Sequence, residues 1–415
     1  MRIERKLSAA VALIVFAGCD TDVQNPGPVQ DDFLNDTLAQ PAIVNGMGRA
    51  LSESLNYLAY TSAAVTREIH PSGSTGSFGI TARWQSGELS RDDDGLDTHW
   101  ELGQQARWLA ENGVTRIEPD PMEPELLAQA YLYAGYANRL LGETQCEAVI
   151  DGGPAEAYTV YFDRAEDWFS KAATAGEGDI RTAAIAGRAS VLADLGQWSE
   201  AATEAAQVPS DFEYELPYQD VGSDAQRNRI EWASHAEPYR AHTQWNTWIG
   251  EYHDGTVDPR VPYLVTEEVG DAAIECCGRV PWWPQQLYTT PDAAITLSSG
   301  AEMRLIEAER SLIDGDVAAA VVKINELRNA AGVDPVTATT VEEAWTALMR
   351  ERGIVLWLEG RRMFDRRRWA EAGRPGTLHP LELPSGAIEE GSHLVQQDLC
   401  FPIAPTEQDT NPNVS

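Results

Sequence analysis

Residues 181–209 read RTAAIAGRASVLADLGQWSEAATEAAQVP. Ala189, Leu192, Gly196, Trp198, Ala201 and Ala205 stand at the spacing of a tetratricopeptide-type helical hairpin. Small residues fall where two helices touch, a glycine falls at the turn, and Pro209 falls where the second helix stops. Residues 302–332, EMRLIEAERSLIDGDVAAAVVKINELRNAAG, repeat the grammar with Gly315, Val317, Ala320, Ile324 and Leu327. The interval from Gly196 to Ala201 equals that from Gly315 to Ala320. A third hairpin is read in 126–142, LLAQAYLYAGYANRLLG, followed by 165–173, AEDWFSKAA, with Cys146, Gly152, Gly153 and Pro154 in the loop between them. No stretch from Phe33 onward sustains period-two alternation, so the chain reads as mainly α, a stack of tetratricopeptide-like hairpins.

Outward from the first hairpin lies a long irregular insertion, 210–300, rich in Trp, Tyr, Pro and Asp. It contains HTQWNTWIGEYHDGTVDPRVPY at 242–263 and CCGRVPWWPQQLY at 276–288. A loop of this length inside a compact chain points to function. Flat aromatic faces suit the apolar side of pyranose rings, and amides and carboxylates suit the hydroxyls. Trp245, Trp248, Tyr252, Trp282, Trp283 and Tyr288 are the candidate stacking residues, with Asn246, Gln285 and Gln286 as polar neighbours. Trp84, from a second irregular stretch at 70–97, is an outlying candidate. Taken singly, each ring has core packing as its competing role, and only their clustering points to a ligand. Trp198, Trp345 and Trp357 fall at helix-core positions and are assigned to packing.

Sixty-five acidic residues against 31 basic ones give a formal charge of -34, which repels phosphate backbones and anionic lipid and excludes nucleic acid as a partner. Residues 1–6, MRIERK, precede an apolar run at 9–17 that is too short to span a bilayer. The run ends in Phe16, Ala17, Gly18 and Cys19, which resembles the bacterial lipobox with Phe16 in place of the usual Leu or Val. This reading makes 1–18 a lipoprotein signal peptide and Cys19 a lipidated anchor carrying several acyl chains, such as palmitate. Residues 19–32 become a flexible tether.

Cys146, Cys276, Cys277 and Cys400 remain for one or two disulfides. Adjacent cysteines seldom bond each other, so Cys276 and Cys277 are each expected to reach a distant partner. No CxxC accompanies them; His235, His242 and His253 match no zinc spacing; and Asp92, Asp93, Asp94 and Asp97 lack EF-hand alternation. Neither metal nor cofactor is expected, and no GxSxG, HExxH or P-loop declares an enzyme.

Residues 341–369, VEEAWTALMRERGIVLWLEGRRMFDRRRW, read as one long helix with an apolar plug at 353–358, flanked by Glu359 with Arg362 and Arg361 with Asp365. The part from 351 to 369 resembles the ERxxELxxEGxRxxDLxRW helix of the SusD/RagB family. Residues 401–414, FPIAPTEQDTNPNV, resemble that family's terminal FPIPxxExxxNP segment, and 305–332 are similar to its last repeat. The resemblance is close over 300–415; over 33–290 it extends only to helix layout and the VDPRVPY run. It implies a single helical domain, 33–415, in which 210–300 is a ligand-binding insertion and 301–415 the signature region. It further implies a surface-exposed outer-membrane lipoprotein that binds oligosaccharide or a similar polymeric nutrient and delivers it, without catalysis, to a SusC-like TonB-dependent transporter. The alternatives are a glycan-degrading surface lipoprotein and a structural scaffold that binds no nutrient.

Overall fold

The computed structural model describes residues 31–414 except 221–225, 238, 275–276 and 385–393. The signal peptide at 1–18, Cys19 and the tether up to residue 30 lie outside the described residues, as does Cys276.

Among the described residues the chain forms helices α1 (Gln40–Val65), α2 (Ala82–Gln85), α3 (Gly95–Ile117), α4 (Pro124–Thr144), α5 (Thr159–Ala175), α6 (Gly178–Asp194) and α7 (Trp198–Ala205). They continue with α8 (Arg229–Ser234), α9 (Trp248–Thr256), α10 (Gly300–Ile313), α11 (Val317–Ala330), α12 (Val341–Val355), α13 (Arg362–Glu371) and α14 (Pro405–Thr410). Short strands β1 (His70–Pro71), β2 (Glu147–Ala148), β3 (Glu156–Ala157), β4 (Glu213–Leu216), β5 (His242–Thr243) and β6 (Ile295–Ser299) pair as β1 with β5, β2 with β3 and β4 with β6. The fold is mainly α, with the expected hairpins in α4–α5, α6–α7 and α10–α11.

The repeats pack as their small residues require. Gly196 and Gly315 turn their hairpins with φ of 75° and 81°, a region that costs side-chain-bearing residues about 1–2 kcal/mol. Phe169 of α5 lies so close to Gly135 of α4 and Gly187 of α6 that a Cβ would come within 2.6 and 2.5 Å of its ring. Either glycine replaced by alanine would force the three helices apart.

The insertion is closed at its base. Antiparallel pairing of Leu216 with Ile295 and Glu213 with Ser299 draws its two ends together, so 217–294 leave and return through one neck. A second pairing, His70 with Thr243 and Pro71 with His242, joins it to the irregular stretch at 70–97. Much of the insertion is thereby ordered, and it contains two helices, α8 and α9.

The single long helix expected over 341–369 is broken. Helix α12 ends at Val355 and α13 begins at Arg362, with Leu358 and Gly360 between them at φ of 64° and 79°. The cause is tertiary. Gly360 packs against Ala59 of α1, where a Cβ would stand 3.0 Å from the Ala59 Cα, and Glu68 accepts a hydrogen bond from the Leu358 amide at 3.0 Å. The charged pairs expected within that helix also re-sort. Arg361 pairs with Glu143 and Glu302, Arg362 with Glu382, and Asp365 with Arg352 and Arg368.

Cys146 and Cys400 bond each other across a sequence separation of 254, so neither is the distant partner expected for Cys276 or Cys277. The backbone brings them together, because the Cys146 amide donates to the Phe401 carbonyl at 2.9 Å and the Phe401 amide to the Thr144 carbonyl at 2.7 Å. Cys277 is itself disulfide-bonded. The tail then docks on α3, where Asp97 accepts from the Thr406 amide at 2.9 Å and Phe401 stacks on His99 at 5.2 Å.

Replacing both Cys146 and Cys400 by alanine should lower the unfolding free energy by about 2–5 kcal/mol, because the bond closes a very long loop; denaturant titration under oxidising conditions measures it. Burial pushes the Glu68 carboxyl up to about 7 from an ordinary 4.5, against the pull of the Leu358 amide. The unfolded chain ionises first, so this group's stabilising share is complete below pH 4.5 and is lost as pH rises through 7, a swing of up to roughly 3 kcal/mol. Glu68→Gln, compared with wild type, should therefore gain relative stability between pH 5 and pH 8 in chemical denaturation.

Candidate functional site

One hydroxyl organises the aromatic part of the insertion. Thr243 Oγ1, on β5, accepts hydrogen bonds from the backbone amides of Trp245 at 3.1 Å and Trp283 at 2.7 Å. The Gln244 amide donates to the Trp283 carbonyl at 2.9 Å and completes the lock. Two segments 40 residues apart thus hold one geometry.

From this knot a row of rings extends. Trp283 stacks on Tyr263 with centroids 5.9 Å apart and planes within 7°, and Tyr263 leans on His253 at 4.8 Å. The Tyr263 hydroxyl donates to the Gly250 carbonyl at 3.1 Å, which pins the row to α9. Trp245 meets His70 edge-on at 5.4 Å. Asn246, at φ 56°, turns the chain into α9, where the Thr247 side chain caps the helix by accepting from the Gly250 amide at 3.0 Å. Trp245, Tyr252, His253, Tyr263 and Trp283 are all half-buried, each with part of its surface open to solvent.

Helix α9 has a second face. Trp248, Glu251 and Tyr252, at i, i+3 and i+4, line a cavity of about 370 Å³ together with residues of α12, Arg362 and His379. Trp248 is only 2% exposed and packs on Gly353 of α12, where a Cβ would lie 2.7 Å from the indole. The Arg362 guanidinium stands 5.0 Å from its ring centroid. Trp248 is therefore both the floor of the cavity and the anchor of α9.

The remaining candidates separate. Tyr288 is buried and lines a different cavity of about 660 Å³, with Trp357, Glu213, Glu215 and Glu359. There burial, reinforced by Glu213, raises the Glu215 carboxyl, and burial with nearby Glu302 raises Glu359. Trp84 and Trp282 are core residues and do not offer stacking faces. Trp84 is fully buried, edge-on to His99 at 5.2 Å and to Phe401 at 6.5 Å, because the tail closes over it. Trp282 is 4% exposed because extended chain sends neighbouring side chains to opposite sides, so Trp283 faces out and Trp282 in.

The polar neighbours are largely spent. Gln285 accepts from the Leu287 and Tyr288 amides at 2.7 and 2.8 Å and donates to the Tyr288 carbonyl, and Gln286 donates to the Gln285 carbonyl at 3.0 Å. Among the histidines, His242 is buried against the Tyr60 hydroxyl at 3.1 Å, and burial with nearby Arg67 lowers its pKa to about 3. Asp93 accepts from the Gly95 amide at the start of α3. Among the described residues no group of three or more His, Cys, Asp or Glu is placed to hold a metal ion. Sequence reasoning did not select Tyr263 or Thr243. Tyr263 closes the VDPRVPY run, but its partner Trp283 lies 20 positions away and is reached only through the bridge between Tyr263 and Gln285.

Residues 300–413 match the SusD family. A search of curated proteins finds no match to the chain. Among solved structures, a SusD superfamily protein from Bacteroides vulgatus ATCC 8482 is similar at 16% identity with a TM-score of 0.66, over 92% of this chain and 98% of that one. A SusD superfamily protein from Parabacteroides distasonis ATCC 8503 gives 11% and 0.67 over 91% and 98%. A SusD-like carbohydrate binding protein from Bacteroides vulgatus ATCC 8482 gives 13% and 0.65 over 91% and 97%. Residues 300–413 thus match the SusD family model, and the chain shares the fold of these solved structures over nine-tenths of its length.

Proposed function

We propose that the protein captures a glycan on the ring surface formed by Trp245, Trp283 and Tyr263, and that the capture involves no bond made or broken. The observation that carries this reading is the near-parallel pair Trp283 and Tyr263, braced beside Trp245 by one threonine and half open to solvent. Rings fixed in this way stack on the apolar faces of sugar rings without first having to be ordered. The shared fold with a SusD-like carbohydrate binding protein supports the same class of ligand.

The wider setting rests on the sequence. The lipobox-like end at Cys19 supports attachment through acyl chains to an outer membrane, and the family resemblance supports a TonB-dependent barrel as the acceptor of the glycan. Among the described residues no helix is long and apolar enough to cross a bilayer. In this reading 210–300 is the binding insertion of one domain, 33–415, and the repeats are its frame.

Affinity electrophoresis against a panel of neutral polysaccharides should find at least one that binds. Replacing Trp245 and Trp283 together by alanine should weaken it about tenfold or more, the equivalent of 1.4 kcal/mol, with the far-UV spectrum unchanged. Binding unaltered in that variant would end the assignment. Thr243→Val leaves two amides without their acceptor at a cost of about 1–3 kcal/mol. It should weaken the same polysaccharide several-fold, whereas Thr243→Ser, which keeps the hydroxyl, should bind like wild type.

A further inference from the structure

The cavity of about 370 Å³ on the other face of α9 contains donors that the fold does not use. Two arginines line it, and they differ. Arg362 is saturated, with an ion pair to Glu382 at 2.7 Å and a hydrogen bond from Nη1 to the Met349 carbonyl at 2.6 Å. Arg350 makes neither an ion pair nor a hydrogen bond among the described residues; its guanidinium lies 5.8 Å from the centre of the Tyr252 ring, and its Nε is buried without a partner. The Trp248 indole N–H is buried and has no partner among the described residues.

In a chain with 65 acidic and 31 basic residues, a cavity-lining guanidinium that pairs with no carboxylate among the described residues is out of keeping with the composition. The acceptor that matches a guanidinium in charge and in planar geometry is a carboxylate. The other walls suit a sugar ring. Tyr252 offers aromatic surface, Thr346 and Thr377 line one side, and the volume sits near the lower end of the roughly 300–1,000 Å³ typical of ligand sites. Of the lining carboxylates, Glu251 is mostly exposed and lies 3.0 Å from His379 Nε2, so its charge is screened and partly engaged. The pair of Arg362 with Glu382 is neutral as a whole.

We infer that this cavity is a subsite for a hexuronic acid, with the Arg350 guanidinium on the sugar carboxylate and the Tyr252 face against the ring. The inference rests on the glycan-capture reading and adds to it a preference for glycans that carry an acidic residue. The chain's overall negative charge makes the requirement for Arg350 sharper, since beyond about 8 Å the field is screened at physiological salt and the nearest cation decides.

The test is titration of the purified full chain with galacturonate and glucuronate, and with galactose and glucose, followed by calorimetry. A uronate should bind about tenfold or more tightly than its neutral parent. Arg350→Met should abolish that preference with the melting temperature unchanged, and Arg350→Lys should restore part of it. Trp283→Ala, which alters only the ring surface, should leave uronate binding intact. No uronate binding by wild type, equal binding of uronate and neutral sugar, or a short peptide competing as well as uronate would each overturn the inference. If neutral polysaccharide still binds while uronate does not, this subsite alone is refuted. If uronate binds while every polysaccharide fails, the ring surface is refuted and the subsite stands.

Discussion

The buried guanidinium of Arg361 is the interaction on which the rest of the molecule depends. It lies in the turn between α12 and α13, 3.1 Å from Glu143 of α4 and 2.9 Å from Glu302 of α10. Glu302 in turn accepts from Ser190 of α6 at 2.8 Å. One cation therefore fixes the early and late repeats to the signature turn. Beside it Arg352 meets Asp365 at 2.8 Å, and Arg368 meets both Asp365 and Glu309. Burial raises the Asp365 carboxyl, but Arg352 and Arg368 outweigh it and hold the group below the usual carboxylate range. Such a network adds little net stability over apolar packing, since each ion loses its hydration, but it is intolerant of any missing member. Its value lies in permitting a single arrangement of helices.

The same segment reaches the binding region directly. Glu351, at the start of the signature run, pairs with Arg328 of α11 at 3.0 Å and also receives Arg260 from the VDPRVPY loop. Gly353 admits the Trp248 indole, and Arg362 covers that ring. These residues touch no proposed ligand except through the cavity wall, yet they set where α9 sits. Moving α9 would displace the Tyr263 hydroxyl from the Gly250 carbonyl and with it the stack on Trp283. The signature region is a frame whose geometry is transmitted to the insertion through one helix.

What the sequence makes legible follows from how local the physics is. The α6–α7 and α10–α11 hairpins are visible because a glycine at the turn and small residues at fixed intervals are properties of thirty consecutive positions. The break at Leu358 and Gly360 is not visible, since helix periodicity continues through it and the cause is the approach of Ala59 from α1 and of Glu68 from the segment after it. The aromatic cluster is legible as a cluster and not ring by ring. Trp282 and Trp283 are chemically identical neighbours, and only the path of an extended segment past Thr243 and Glu268 makes one core and the other surface. Trp84 is taken into the core by a tail more than 300 residues away, and Arg350 stands out only once every other arginine on its cavity has been matched with a partner.

A binding surface made from loop residues ordinarily loses affinity to the ordering of those loops, at roughly 0.5–1.5 kcal/mol for each immobilised side chain. Here the described rings of the insertion are ordered beforehand. The β4–β6 neck closes the insertion, the β1–β5 pairing fastens its middle to the stretch after α1, and Thr243 aligns Trp245 with Trp283. Because Trp248 and Tyr252 project from α9 toward the cavity while His253 faces the ring row, the two proposed contacts share a rigid helix and keep a fixed separation. A ligand that engages both must present an apolar sugar face and a carboxylated ring at that spacing. In the proposed reading, discrimination among glycans then arises from the placement of α9, which the buried ions of the signature turn secure from behind.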